Sequence, residues 1–187
     1  MKPDYPLNSI NSVHYRKLFY LVLILLSLSF NSRKPSENDV LFFIREYCND
    51  FYPKHNIKEL LFVSVKQQRI YLIRHAKMIT SYPVSTSKYG LGSIINSKKT
   101  PLGLHKIQNK IGKGIPARGI IKGGVYTGDK ADLEHYPVPM EGDFVTTRLL
   151  WLTGLEKGIN LGGNVDSYTR RIYIHGTPEE GLIGKPS

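Results

Sequence analysis

RRIYIHGTPEEGLIGKPS, residues 170–187, is the most informative segment of the chain for its fold. Residues 171–174 alternate polar and apolar side chains and are rich in β-branched and aromatic types, which predicts a half-buried strand. His175 follows at the predicted strand end, and Gly176, Thr177 and Pro178 predict a turn. A histidine in that position can contact a substrate, although it can equally be a structural residue bonded to the backbone.

The chain from residue 60 onward changes from a helical to an alternating pattern. Residues 61–65 and 69–73 predict a hairpin over a polar turn, and residues 78–86 predict a third strand. Pro83 indicates an edge position or a bulge in that third strand. A Thr100-Pro-Leu-Gly turn leads into a further strand, and residues 145–152 predict another, with Trp151 as a core anchor.

These motifs in this order resemble the catalytic domain of the L,D-transpeptidases, the cysteine enzymes of peptidoglycan cross-linking. The similarity is carried by the hairpin, by YPVST at residues 82–86, by TPLG at residues 100–103 and by IHGT at residues 174–177. It implies a mostly β protein, an L,D-transpeptidase-like β-sandwich, preceded by an N-terminal apolar segment and one short amphipathic helix.

The resemblance also implies a function and a set of site residues. Intact relatives transfer an acyl group between peptidoglycan stem peptides through a cysteine nucleophile. His175, Gly176 and Thr177 match the part of the motif that binds substrate. The family's Ser-His-Gly-Cys segment, with the nucleophile and its base, follows this histidine, and residue 187 precedes it. We therefore assign no catalytic residue and expect a truncated, inactive domain, or alternatively a pseudoenzyme that binds peptidoglycan without processing it.

The N-terminal region, residues 1–34, has the form of an export signal. A basic flank precedes an uncharged apolar run that begins at Leu18 and ends at Phe30. The run is short for a membrane-spanning helix, which needs about 20 apolar residues. The sequence leaves open a cleaved signal peptide and an uncleaved signal-anchor. Either predicts an exported protein of the periplasm or cell envelope, with a membrane anchor in the second case.

Residues 35–59 predict an amphipathic helix and a linker, before an incomplete L,D-transpeptidase-like domain at residues 60–187. Ser36 and Asp39 form a capping-box pattern, and Pro53 ends the helix. The apolar face of the helix comprises Val40, Ile44, Tyr47, Cys48 and Phe51. Cys48 is therefore predicted to be a buried structural residue rather than a nucleophile.

The charge of the chain favours an anionic partner. The net charge is +11, and residues 60–128 hold twelve Lys or Arg and no Asp or Glu. Peptidoglycan, a membrane surface and nucleic acid all fit such a basic face, which can also serve solubility alone. We predict peptidoglycan as the partner. No nucleic-acid-reading motif occurs, and an export signal argues against nucleic acid.

Metal and cofactor sites are not predicted. A single cysteine excludes an intramolecular disulfide, and the six histidines lack metal-ligand spacing. Residues 109–129 are rich in glycine and lysine but match no nucleotide-binding loop. They predict either a mobile surface excursion or a lid over the substrate groove.

Overall fold

A computed structural model of the chain describes residues 36–53, 58–142 and 144–187. The chain divides into two units, Met1–His55 and Asn56–Ser187. The predicted export signal, residues 1–34, lies outside the described residues. Within those residues, no helix is both long enough and apolar enough to cross a membrane.

The one α-helix of the described residues, α1 (Glu37–Phe51), begins and ends as the sequence predicts. The Ser36 hydroxyl accepts a hydrogen bond from the Asp39 amide, and the Asp39 carboxylate accepts one from the Ser36 amide. This capping box satisfies amide groups that the first helical turn leaves without partners. Cys48 is half-buried on this helix, and burial raises the pKa of its thiol.

The first sheet is antiparallel and has the strand order β1-β2-β3. It comprises β1 (Glu59–Ser64), β2 (Arg69–Arg74) and β3 (Lys77–Pro83). Ile70 and Ile73 on the central strand are buried. Pro83 ends an edge strand, as its missing amide proton favours.

The second sheet is built around its longest strand, β7 (Val145–Gly154), which pairs antiparallel with three others. Those are β4 (His105–Ile111), β5 (Gly119–Lys122) and β8 (Tyr173–Gly176), and β6 (Val125–Lys130) pairs with β5. Leu149 and Ile121 are buried in this sheet. The prediction of a mostly β protein with one short helix is confirmed, and both sheets are antiparallel.

Three sequence predictions of secondary structure differ from the structure. The third strand ends at Pro83 rather than at residue 86. The final strand begins at Tyr173 rather than Arg171, because Arg171 has a φ of +58° and its amide closes a turn onto the Tyr168 carbonyl. Residues 109–129, predicted as a surface excursion, instead contain the end of β4, all of β5 and most of β6. Gly112, Gly114, Gly123 and Gly124 lie in the turns between these strands, whereas Gly119 and Gly128 lie within β5 and β6.

Aromatic side chains join β7 to the segment that leads into β8. Trp151 stacks on Tyr168 with ring centroids 4.5 Å apart, and it meets Tyr173 edge-on at 5.1 Å. The indole nitrogen donates to the Tyr168 carbonyl at 3.0 Å. Trp151 therefore anchors β7 to this segment with its polar atom satisfied, but it is half-buried, whereas the sequence analysis predicts a core residue.

A buried polar cluster lies beside the start of β4 and the end of β7. Asn160, with 0% of its surface exposed, donates through Nδ2 to the Leu102 and Leu104 carbonyls at 2.9 and 3.1 Å. Its Oδ1 accepts from the Glu156 amide at 2.9 Å. The Glu156 carboxylate in turn accepts from the Leu104 amide at 2.8 Å. One side chain thereby ties the turn before β4 to the turn after β7.

His105 extends this cluster in its neutral form. Its Nδ1 donates to the Gly103 carbonyl at 3.0 Å, so Nε2 accepts from the hydroxyl of the buried Ser167 at 2.9 Å. Burial lowers the pKa of His105, which favours this neutral tautomer. The cluster therefore satisfies its polar atoms without an ionised imidazole.

Asn160→Ala is predicted to destabilise the protein by about 2–4 kcal/mol, because it leaves the Leu102 carbonyl and the Glu156 amide without these partners and removes one of the two bonds to the Leu104 carbonyl. Urea unfolding followed by circular dichroism measures the change. The matched control is Asn164→Ala, since Asn164 is exposed, and it should change stability by less than about 0.5 kcal/mol. Equal effects of the two substitutions would contradict the role given to Asn160.

Candidate functional site

An open pocket of about 530 Å³ lies where β4, β7 and β8 run side by side. Its walls combine cationic side chains, aliphatic side chains and backbone. The residues that line it are Lys110, Ile111, Lys113, Gly114, Arg148, Leu150, Ile174, His175 and Gly176. Two of the three site residues predicted from the sequence are therefore brought together in one concave surface.

His175 lies on β8 opposite Leu149 of β7, and its side chain is exposed to the pocket. Its Nδ1 is 2.9 Å from the Gly176 carbonyl oxygen. Because a carbonyl can only accept, Nδ1 carries the hydrogen in this bond. Nε2 makes no hydrogen bond within the described residues, so it is available to a bound molecule.

Gly176 and Thr177 shape the backbone beside this histidine. Gly176 pairs with Thr146 across the sheet, and a Cβ on it would lie 2.7 Å from the Thr146 carbonyl oxygen. The Thr177 hydroxyl accepts from the Glu179 amide at 3.1 Å and so closes the turn after β8. Thr177 does not line the pocket, and its hydroxyl instead stabilises the turn.

The pairing of β7 with β8 is interrupted by a bulge at the pocket. Thr146 pairs with Gly176 and Leu149 with His175, so two residues of β7 stand outside the regular register. Thr147 has a φ of +64°, which is strained for a β-branched residue, and its hydroxyl accepts from the Arg118 amide at 3.0 Å. Bulges of this kind redirect side chains beside functional sites.

Arg148 is the side chain that the bulge presents to the pocket. Its Nη1 donates to the Ile115 carbonyl at 2.9 Å and to the Thr147 carbonyl at 2.6 Å. These bonds hold the guanidinium beside residues 113–115 at the pocket edge. A guanidinium is a planar cation whose N–H donors match the geometry of a carboxylate.

The electrostatic character of the pocket is positive throughout. Lys110, Lys113 and Arg148 contribute cations, and no Asp or Glu is among the described residues that line it. Lys110 faces Leu150, which faces Ile174 on the next strand, so an aliphatic row runs from the lysine across the sheet. This arrangement suits a ligand that has carboxylate groups attached to an aliphatic body.

No cysteine is among the described residues that line the pocket. The only cysteine of residues 1–187, Cys48, lies in the other unit, on α1. Within the part of the chain that the structure describes, no three His, Cys, Asp or Glu side chains converge as metal ligands do. What the pocket offers is positive charge, an aliphatic wall and the imidazole of His175.

The sequence did not identify every residue of this pocket. Lys110 and Lys113 belong to the acid-free stretch, but nothing in that stretch singles them out. Arg148 lies outside it and reaches the pocket because of the bulge at Thr147. The missing signal is the strand register, which sets Lys110 opposite Leu150 and Leu150 opposite Ile174, and which cannot be read from one sequence.

Comparison with known proteins adds one finding. A family model described as the L,D-transpeptidase catalytic domain (YkuD) matches residues 58–187, which include both sheets and the whole pocket. No curated protein and no solved structure matches the chain.

Gly176→Ala is predicted to cost about 1–3 kcal/mol of stability, because the new methyl group meets the backbone of β7 and forces the two strands apart. Denaturant unfolding provides the measurement. Gly92→Ala is the matched control, since a Cβ there meets only the flexible end of the Lys99 side chain. If Gly176→Ala is as stable as Gly92→Ala, β7 and β8 do not lie as close together at Gly176 as described.

Proposed function

The chain belongs to the L,D-transpeptidase catalytic-domain family, and we propose that residues 58–187 bind the anionic stem peptides of peptidoglycan in the pocket beside His175. The family acts on peptidoglycan, which implies a location in the cell envelope. Export to the periplasm, with residues from Leu18 to Phe30 as signal or anchor, is part of the proposal. The packing of the two sheets as the family's β-sandwich is also part of the proposal.

The positive charge of the pocket, with no carboxylate on its walls, is the observation that carries the proposal. Stem peptides bear free carboxylates on a backbone with aliphatic side chains. Lys110, Lys113 and Arg148 can pair with those carboxylates, and Arg148 can do so in a bidentate manner. Leu150 and Ile174 then provide the surface for the aliphatic side chains.

His175 and Gly176 contribute the polar contacts in this proposal. With Nδ1 donating to the Gly176 carbonyl, Nε2 of a neutral His175 accepts a hydrogen bond from a stem-peptide amide. Gly176 contributes its backbone to the pocket wall, and its missing side chain allows β8 to lie close to β7. Thr177 acts indirectly, by holding the turn that fixes the end of β8.

We assign substrate binding, and no catalytic residue, to residues 1–187. Acyl transfer in the family proceeds through a thiolate, and Cys48 does not have the properties of that nucleophile. Burial raises the pKa of its thiol, so the thiol stays protonated near neutral pH. Cys48 instead packs as a small apolar residue on α1.

The test is co-sedimentation of the purified chain with isolated peptidoglycan sacculi. Replacing Lys110 and Lys113 together by Gln is expected to weaken binding about five-fold, the effect of removing two modest ion pairs. Raising the salt concentration should weaken binding of the original chain, because salt screens exposed charges.

The control is the double variant Lys122→Gln and Lys130→Gln, which removes the same charge from exposed positions on β5 and β6 that do not line the pocket. It should bind nearly as well as the original chain. An equal loss in both double variants would mean that net charge, and not the pocket, governs binding. No sedimentation at low salt would refute the proposal itself.

A further inference from the structure

The loop of residues 87–102, here called the apolar loop, has a well-bonded backbone. The Ser87 amide donates to the Thr100 hydroxyl at 2.9 Å, and the Ser87 hydroxyl donates to the Lys98 carbonyl at 2.6 Å. The Gly92 amide donates to the Thr100 carbonyl at 2.9 Å. Its two ends are therefore joined, as in a compact Ω-loop.

Contacts from outside the apolar loop hold it in place. Arg170 donates through Nη2 to the Lys99 carbonyl at 2.8 Å, and the Ile95 amide donates to the Asn164 carbonyl at 2.7 Å. Five bulky apolar side chains of the loop are nevertheless exposed to solvent, with exposed fractions from 38% to 59%. They are Tyr89, Leu91, Ile94, Ile95 and Leu102. An ordered loop that turns its apolar side chains outward has the character of an interaction surface.

The positive charge of the apolar loop indicates which kind of partner it binds. Lys88, Lys98 and Lys99 are exposed on the apolar loop, which contains no acidic residue. Tyr89 and several aliphatic side chains beside lysines form the combination that enters the boundary region of a lipid bilayer. Such a boundary accepts apolar side chains of any shape, while the lysines contact anionic headgroups.

We propose that the apolar loop docks the domain on a membrane containing anionic phospholipid, with Ile94 and Ile95 entering the bilayer boundary. This goes beyond the proposed binding of peptidoglycan and does not depend on it. The partner of the apolar loop is a lipid surface, which the loop recognises by its negative headgroups and its apolar interior.

The experiment places one polarity-sensitive fluorophore on the full chain. Ile94→Cys in a Cys48→Ser background carries the dye on the apolar loop. Val125→Cys in the same background carries it at a 69% exposed position on β6. Vesicles of phosphatidylethanolamine with phosphatidylglycerol are then added. Because both proteins keep residues 1–35, any binding through that segment is common to the two.

A blue shift at position 94, with none at position 125, is expected. The shift should shrink in 1 M salt, where the Debye length is about 3 Å. It should also shrink when Lys98 and Lys99 are replaced by Gln, or when Leu91 and Ile95 are replaced by Ser. Phosphatidylcholine vesicles should give little shift.

Four outcomes would overturn the proposal. They are no shift at position 94, equal shifts at positions 94 and 125, equal shifts with neutral and anionic vesicles, and a shift that grows with protein concentration in the absence of vesicles. The last would identify a second copy of the chain as the occupant. A shift produced by sacculi but not by vesicles would equally refute lipid docking.

Discussion

The bulge that interrupts the pairing of β7 with β8 is the constraint on which the site depends. Thr147 adopts a φ of +64°, and its hydroxyl is held by the Arg118 amide, so the strain is stabilised by a neighbouring turn. The irregularity brings Arg148 to the same pocket as His175. A regular register would alternate the side chains of β7 strictly between the two faces of the sheet.

The rest of the domain keeps this bulged strand in position. Asn160 and Glu156 fix the turn after β7 to the turn before β4, while Trp151 packs on the segment that leads into β8. The Asn160 and Glu156 bonds, like the Trp151 packing, join segments that lie far apart in the sequence. The polar contacts are costly to break because they are buried, and the pocket itself is left open and positively charged.

Much of the fold could be predicted from local sequence pattern, and much of the site could not. The capping box at Ser36, the hairpin before residue 74 and the edge position of Pro83 follow from short-range chemistry. The start of β8 was misplaced because Arg171 fits an alternating pattern, yet its amide closes a turn. Arg148 was missed for a related reason, since a bulge depends on tertiary contacts that no single segment encodes.

Binding of a peptidoglycan stem peptide in the pocket beside His175 can be measured directly by titrating the isotopically labelled chain with a soluble anionic tetrapeptide stem and following amide chemical shifts. We expect saturable shifts at Lys113, Gly114 and Gly176, which line the pocket, and none at Val125 on β6. Unchanged pocket amides at saturating peptide, or shifts confined to other surfaces, would contradict binding in this pocket.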